Sequence, residues 1–258
     1  MEEENLQNQN DIQAPDTEQI SKTDAMVGIF TEPGNTYEAV AQTKGVYYWT
    51  YPILICILLG LISAFIGQTD AQLFGDMMSK QKKKMHEKMD EQVKAGKLTQ
   101  EQAQEQIAAS EKFMDPNGIF FKLMAYVGAS VGVVIIFIFV SLLYFVGLKI
   151  FKSQAGFADA MNVVGLGMLI SSIGGLLAMV LSVVMGHFTS IGAGLFLKEE
   201  NVGEKAYKFA TSLDIFAIWE HVIFAIGLSK VGRISMAQSY SLVFGIWFIW
   251  MAVSIFVF

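Results

Sequence analysis

The sequence predicts an all-α, polytopic membrane protein: about five transmembrane helices with an inserted extramembrane helical hairpin. Three observations predict it. Hydrophobic residues make up 53% of the 258, and the mean hydropathy is positive, which is too apolar and too segmented for one soluble core. The stretch 240–258 carries no charged residue. Its roughly 19 residues, at about 1.5 Å each, cover a hydrocarbon core of about 30 Å. Similar apolar segments recur along the chain, separated by one long polar loop and by short turns bearing Lys or Arg.

Residues 1–25 are polar and acidic around Pro15 and bury too little apolar surface to offset ordering entropy, so they read as a disordered tail. No basic region followed by an apolar core precedes residue 46, so the first span is expected to serve as the targeting signal. In 26–45, Asn35 followed three positions later by Glu38 is a helix-start signal, and Tyr37, Val40 and Ala41 share a face. A short interfacial helix feeding the membrane is expected there; the alternative is a linker with incidental apolar residues.

The first span, 46–67, opens on an interfacial aromatic cluster of Tyr47, Tyr48, Trp49 and Tyr51, and Pro52 falls in its first turns. The polar loop 68–117 follows. Met78, Met85, Met89 and Val93 fall on one side, Gly96 ends the pattern, and Thr99 with Gln102 starts a second helix that stops at Asp115-Pro116. A helical hairpin over 71–114 is the expectation. Its Lys80, Lys82, Lys83, Lys84 and Lys88 read as a solvated face balanced by Glu87, Asp90 and Glu91; contact with anionic lipid is the other reading.

The second span, 119–148, contains Gly128 and Gly132, a GxxxG that reads as close packing inside the bundle rather than homodimerisation. In the third, 161–185, Gly167, Ser171 and Gly175 recur every four residues, leaving one face nearly bare backbone. Gly186 to Ser190 interrupts it, and 191–197 reads as a short re-entrant or interfacial piece. The fourth span, 213–228, carries Asp214, Glu220 and His221, and the fifth is 240–258.

Five spans place the termini on opposite sides. The turns with Lys149 and Lys152 and with Lys230 and Arg233 lie on the N-terminal side, which favours a cytoplasmic N-terminus, although the lysines of the opposite loops outnumber them. The net charge of -6 arises largely from the N-terminal acids and gives no basic patch for nucleic acid. Cys56 is the only cysteine, so no intramolecular disulfide can form.

No catalytic or metal constellation stands out. His86, His187 and His221 lie in different segments, neither CxxC, HExxH nor a P-loop occurs, and no Ser/His/Asp set stands in a recognisable context. No cofactor is implied. Glu220 and His221 are the intramembrane polar candidates, either as a proton or cation relay or as groups satisfied by neighbouring helices. Adjacent on a helix, they point about 100° apart.

The run Asp214-x-Phe216-x-x-Trp219, continuing into Gly227-Leu228 and the turn Val231 to Ser235, resembles the membrane domain of the Yip (Ypt-interacting, Yip-one) family, especially its bacterial branch. Phe30-x-x-Pro33-x-x-Thr36 and Thr189-Ser190-Ile191-Gly192 are similar to it as well. The resemblance covers about 25–258, with the hairpin as an insert. It implies a five-span bundle with a cytoplasmic N-terminus in a bacterial inner membrane, and Pro33, Asp214, Trp219 and Gly227 as family-motif residues. Eukaryotic relatives bind Rab-type GTPases in vesicle trafficking, whereas bacterial relatives lack a generally assigned activity. Glu220 and His221 stand where the family more often has small or apolar residues, so no role carries over to them. The expectation is a non-enzymatic scaffold or interaction protein in contact with the lipid bilayer, its tail and hairpin open to protein partners; the alternative is a transporter or channel component using Glu220. The sequence leaves the oligomeric state open.

Overall fold

A computed structural model describes residues 19–43, 45–113, 118–197 and 199–256. Most of the expected tail and the Asp115-Pro116 stop lie outside them. The described residues form eleven α-helices and one short 3-10 turn, with no strand; an isolated antiparallel bridge joins Gly192 to Asp214. Five helices are long and apolar enough to cross a membrane: α3 (Thr50–Thr69), α6 (Ile119–Ile150), α7 (Phe157–Met185), α10 (Ile215–Gly232) and α11 (Met236–Phe256).

Helix α7 is the axis of the bundle. Residues 162–170 are buried all round, because α3, α6 and α10 each pack along it. Its start is drawn back to Phe157 by Asp159, whose carboxylate accepts from the Gly156 N–H at 2.7 Å, and Gly186 closes it in the left-handed conformation at φ 71°. Helix α11 starts at Met236 rather than at the expected 240. Ser235 and Gln238 cap it reciprocally, each side chain accepting from the other residue's backbone N–H.

The single interfacial helix expected over 26–45 is instead a hairpin of α1 (Lys22–Thr31) and α2 (Pro33–Gln42). Pro33 occupies the first position of α2, where its fixed φ suits a helix start and its missing N–H is not needed. The two helices touch where Gly28 meets Thr36, with no room for a Cβ between them. Phe30 meets the Trp219 ring edge-on with centroids 5.7 Å apart, Tyr37 lies over Gly227, and Glu38 pairs with Lys230 at 2.7 Å. The α1–α2 hairpin therefore follows α10 from Trp219 to Lys230, roughly 16 Å of helix rise. The hairpin tip sits beside the middle of α10 rather than on the rim of the bundle.

At the opposite end, α4 (Ala71–Lys94) and α5 (Gln100–Phe113) form a second hairpin. Asp70 caps α4 by accepting from Leu73 N–H, and Thr99 and Gln102 cap α5 reciprocally. Met78 is buried, and Met85, Met89 and Val93 are half-buried along the same stripe. The segment after α7 passes through the 3-10 turn Ala193–Phe196, α8 (Glu199–Val202) and α9 (Glu204–Ser212) before entering α10.

Candidate functional site

The contact between α7 and α10 is a seam of alternating sizes. Phe216, Glu220 and Phe224 recur every four residues on α10, and Gly174, Ser171 and Gly167 receive them in turn on α7. A Cβ at Gly167 would lie 2.5 Å from the Phe224 ring, and one at Gly174 would overlap Phe216. Between the two rings the Ser171 hydroxyl oxygen and Glu220 Oε1 stand 2.5 Å apart, within hydrogen-bond distance. The expected series Gly167, Ser171, Gly175 is thus shifted at its end. Gly175 has nothing within 4 Å of where its Cβ would stand.

Glu220 is buried, and side chains from three further elements approach it. Tyr37 of α2, Tyr144 of α6 and Cys56 of α3 are near enough for its charge to act on them. Tyr37 donates its hydroxyl hydrogen to the Val163 carbonyl at 3.1 Å. Among the described residues no Lys, Arg or His is paired with Glu220.

His221 does not join this group. Its Nδ1–H donates to the Ala217 carbonyl at 2.7 Å, and its ring lies among Phe224, Phe244 and Trp247 on the α11 side, 5.0 Å from the Trp247 centroid. The sequence separation of the two residues into different directions is realised as two different neighbourhoods.

Asp214 precedes α10 rather than lying within it. Oδ1 accepts from the Phe216 and Ala217 N–H groups, and Oδ2 accepts from Ile191 N–H at 2.7 Å. One carboxylate therefore caps α10 and clips the Thr189 to Gly192 segment against it, and Gly192 comes so close to the Leu213 carbonyl that a Cβ would not fit. Gly227 serves a comparable end, since a Cβ there would meet Val163 at 2.6 Å and Tyr37 at 3.0 Å. Trp219 receives Phe30, and Pro33 opens α2. Gly128 and Gly132 face open space, with nothing within 4 Å of a Cβ, so neither packs against another helix of this chain.

The α4–α5 hairpin meets the rest of the chain through charge and, at its root, through the buried Leu73 and one aromatic edge. Lys80 pairs with Glu199 at 2.6 Å, and Glu204 accepts from both Lys84 at 3.2 Å and Lys208 at 2.9 Å. Hydrogen bonding from Lys208, then Lys84, holds the Glu204 carboxyl below its ordinary range. Phe74 meets Phe121 edge-on. The lysine run is accordingly part of a mutual charge network, a contact that sequence spacing alone did not show. Among the described residues no group of His, Cys, Asp and Glu is placed to hold a metal ion.

The family model for the Yip1 domain matches residues 27–258, nearly the whole chain and the same stretch that carries the hairpin, seam and clip. The chain belongs to the Yip1 family. No curated protein and no solved structure matches it. As a Yip-family membrane protein, it puts the residues of its family resemblance at contacts between elements: Pro33 and Phe30 in the α1–α2 hairpin, Gly192 and Asp214 in the clip, Trp219 and Gly227 under the hairpin.

Proposed function

We propose that this Yip-family protein is a non-enzymatic membrane scaffold that presents two helical platforms, one at each end of its bundle, to protein partners in membrane organisation or trafficking. The single observation that carries the reading is the α4–α5 hairpin. It leaves most of its polar surface exposed, and beyond the buried Leu73 and the Phe74–Phe121 edge at its root it meets the rest of the chain through ion pairs. Glu101, Gln102, Glu105, Gln106 and Ala109 on α5 all face outward. Exposed ion pairs of this kind contribute about 0–1 kcal/mol each, so the outer part of the hairpin is open to exchange these contacts for a partner's.

The reading places the N-terminus in the cytoplasm of a bacterial cell, with the protein in the inner membrane. Lys149, Lys152, Lys230 and Arg233 share the N-terminal end and support that side as cytoplasmic. The test is a photo-crosslinking amino acid placed at Glu105 or Ala109 of the full-length chain in native membranes, with a lipid-facing position such as Leu58 as control. A discrete protein adduct at the α5 positions and none at Leu58 supports the scaffold. Lipid adducts alone at all three positions sink it.

A further inference from the structure

Glu220 lies on α10 where α7 and α2 pack along it and α6 comes alongside, and the groups within reach of its charge are a serine, two phenols and a thiol. Ser171 comes from α7, Tyr37 from α2, Tyr144 from α6 and Cys56 from α3; α11 places no titratable group that acts on it. An ionised carboxylate in such a setting is strongly disfavoured unless a cation or water offsets it.

The neutral form, by contrast, fits the hydrogen bonds that are present. The Ser171 Oγ lies 2.5 Å from Glu220 Oε1 and 3.2 Å from the Met168 carbonyl, and its single hydrogen can serve only one of them. A protonated Glu220 donates to Ser171 Oγ while Ser171 donates on to Met168, which gives both hydrogens of this pair an acceptor and leaves no charge. Tyr37, having given its hydrogen to Val163, offers only lone pairs on this side.

We propose that Glu220 is a proton-binding site whose occupancy seats the N-terminal hairpin. When the carboxyl ionises, water must reach it, and α1–α2 is the element that gives way. It is the one neighbour of Glu220 that does not span the bundle. Its polar anchors are few: Tyr37 to Val163, Glu38 to Lys230, Lys22 to Thr50 and the Tyr48 hydroxyl to the Ile20 carbonyl. The ligand is the proton itself, and the coupling joins the bundle interior to the segment that carries the N-terminal tail. This goes beyond the partner reading and stands independently of it.

The test uses the full-length chain in phosphatidylcholine nanodiscs and a hydrophobic carbodiimide, dicyclohexylcarbodiimide. A protonated carboxyl adds across one C=N bond, oxygen to carbon and proton to nitrogen, and an O-to-N acyl shift then gives a stable N-acylurea with nothing leaving. Between about pH 5 and about pH 9, peptide mapping is expected to find the adduct on Glu220, with its rate falling about tenfold per pH unit once the group ionises. The second reading is N-ethylmaleimide reaction at Cys56, divided by the rate in the detergent-unfolded chain at the same pH. It is expected to rise about tenfold over that range in the wild type as the pocket opens, and to stay flat in Glu220→Gln. No adduct at Glu220 in acid, a pH-independent adduct, or a flat Cys56 ratio in the wild type overturns the proposal. Protection of Glu220 by sodium at constant pH also overturns it, by making the ligand a metal cation. Should Glu220→Gln fail to fold, the wild-type carbodiimide and Cys56 profiles still decide.

Discussion

A Cβ at Gly167 would stand 2.5 Å from the Phe224 ring and one at Gly174 would overlap Phe216, whereas Gly175, one residue further on, faces nothing within 4 Å. The seam therefore predicts its own mutational pattern. Gly167→Ala and Gly174→Ala are each expected to lower stability by about 1–3 kcal/mol, the usual range for overpacking. Gly175→Ala and Gly128→Ala are expected to be neutral or mildly stabilising, because alanine is the better helix former and nothing is displaced. Thermal unfolding in detergent checks all four, and equal losses at Gly167 and Gly175 would contradict the seam. Small residues recurring every four positions were legible in the sequence; which helix they faced was not. Spacing identifies a thin face of a helix and carries no information about its neighbour. That is why Gly128 and Gly132 look like a packing motif and yet meet open space, and why the fit of Glu220 to Ser171 appears only when α7 and α10 are laid together.

Among the elements, the five long apolar segments were legible because length and hydropathy suffice to define them, and the α4–α5 hairpin because its caps lie in plain sequence at Thr99 and Gln102. The α1–α2 hairpin was not. Its two helices are only ten residues each, and their meeting at Gly28 and Thr36 leaves no periodic signature that separates a folded-back pair from one surface helix. Asp214 misled for a related reason: read inside a span it looks costly, while just ahead of α10 its carboxylate satisfies two backbone N–H groups of that helix and the N–H of Ile191. The docking of α4 onto α8 and α9 was likewise hidden, since its ion pairs join residues more than a hundred positions apart. That docking carries a pH prediction. The Glu204 carboxyl is held low by Lys208 and Lys84, so its contribution is complete above the ordinary glutamate value of about 4.3 and fades as pH falls from there through the lowered folded-state value. Backbone amides of α4 and α9 are expected to exchange faster with deuterium below about pH 4 than near neutrality, after correction for the intrinsic rate. Salt of about 1 M at neutral pH should have the same effect by screening. Unchanged protection under both conditions would mean that apolar contact, not charge, holds the hairpin.

At the scale of the whole molecule, the chain is a bundle with two unlike ends. One end carries the α1–α2 hairpin, the Lys149 loop and the Lys230 turn; the other carries α4–α5 and the 186–212 segment. An odd number of crossings between the N-terminal hairpin and α4 requires these ends to lie on opposite sides of the bilayer, whichever side is which. Lys149 Nζ donates to the carbonyls of Ser153 and Ala155, and Lys230 is paired with Glu38, so the charge of the N-terminal end is partly spent on holding its own loops. Lys152 and Arg233, both exposed and both left-handed, keep their charge free of such a bond among the described residues, and a positive-inside orientation depends most on these two. In a Cys56→Ser background, single cysteines at Glu105 and at Arg233 are expected to react with a membrane-impermeant maleimide from opposite sides. Position 105 should label in intact cells, and position 233 only after the membrane is opened. Labelling of both from the same side would break the five-span topology, and the reverse assignment would keep the fold while turning the scaffold's α4–α5 platform toward the cytoplasm.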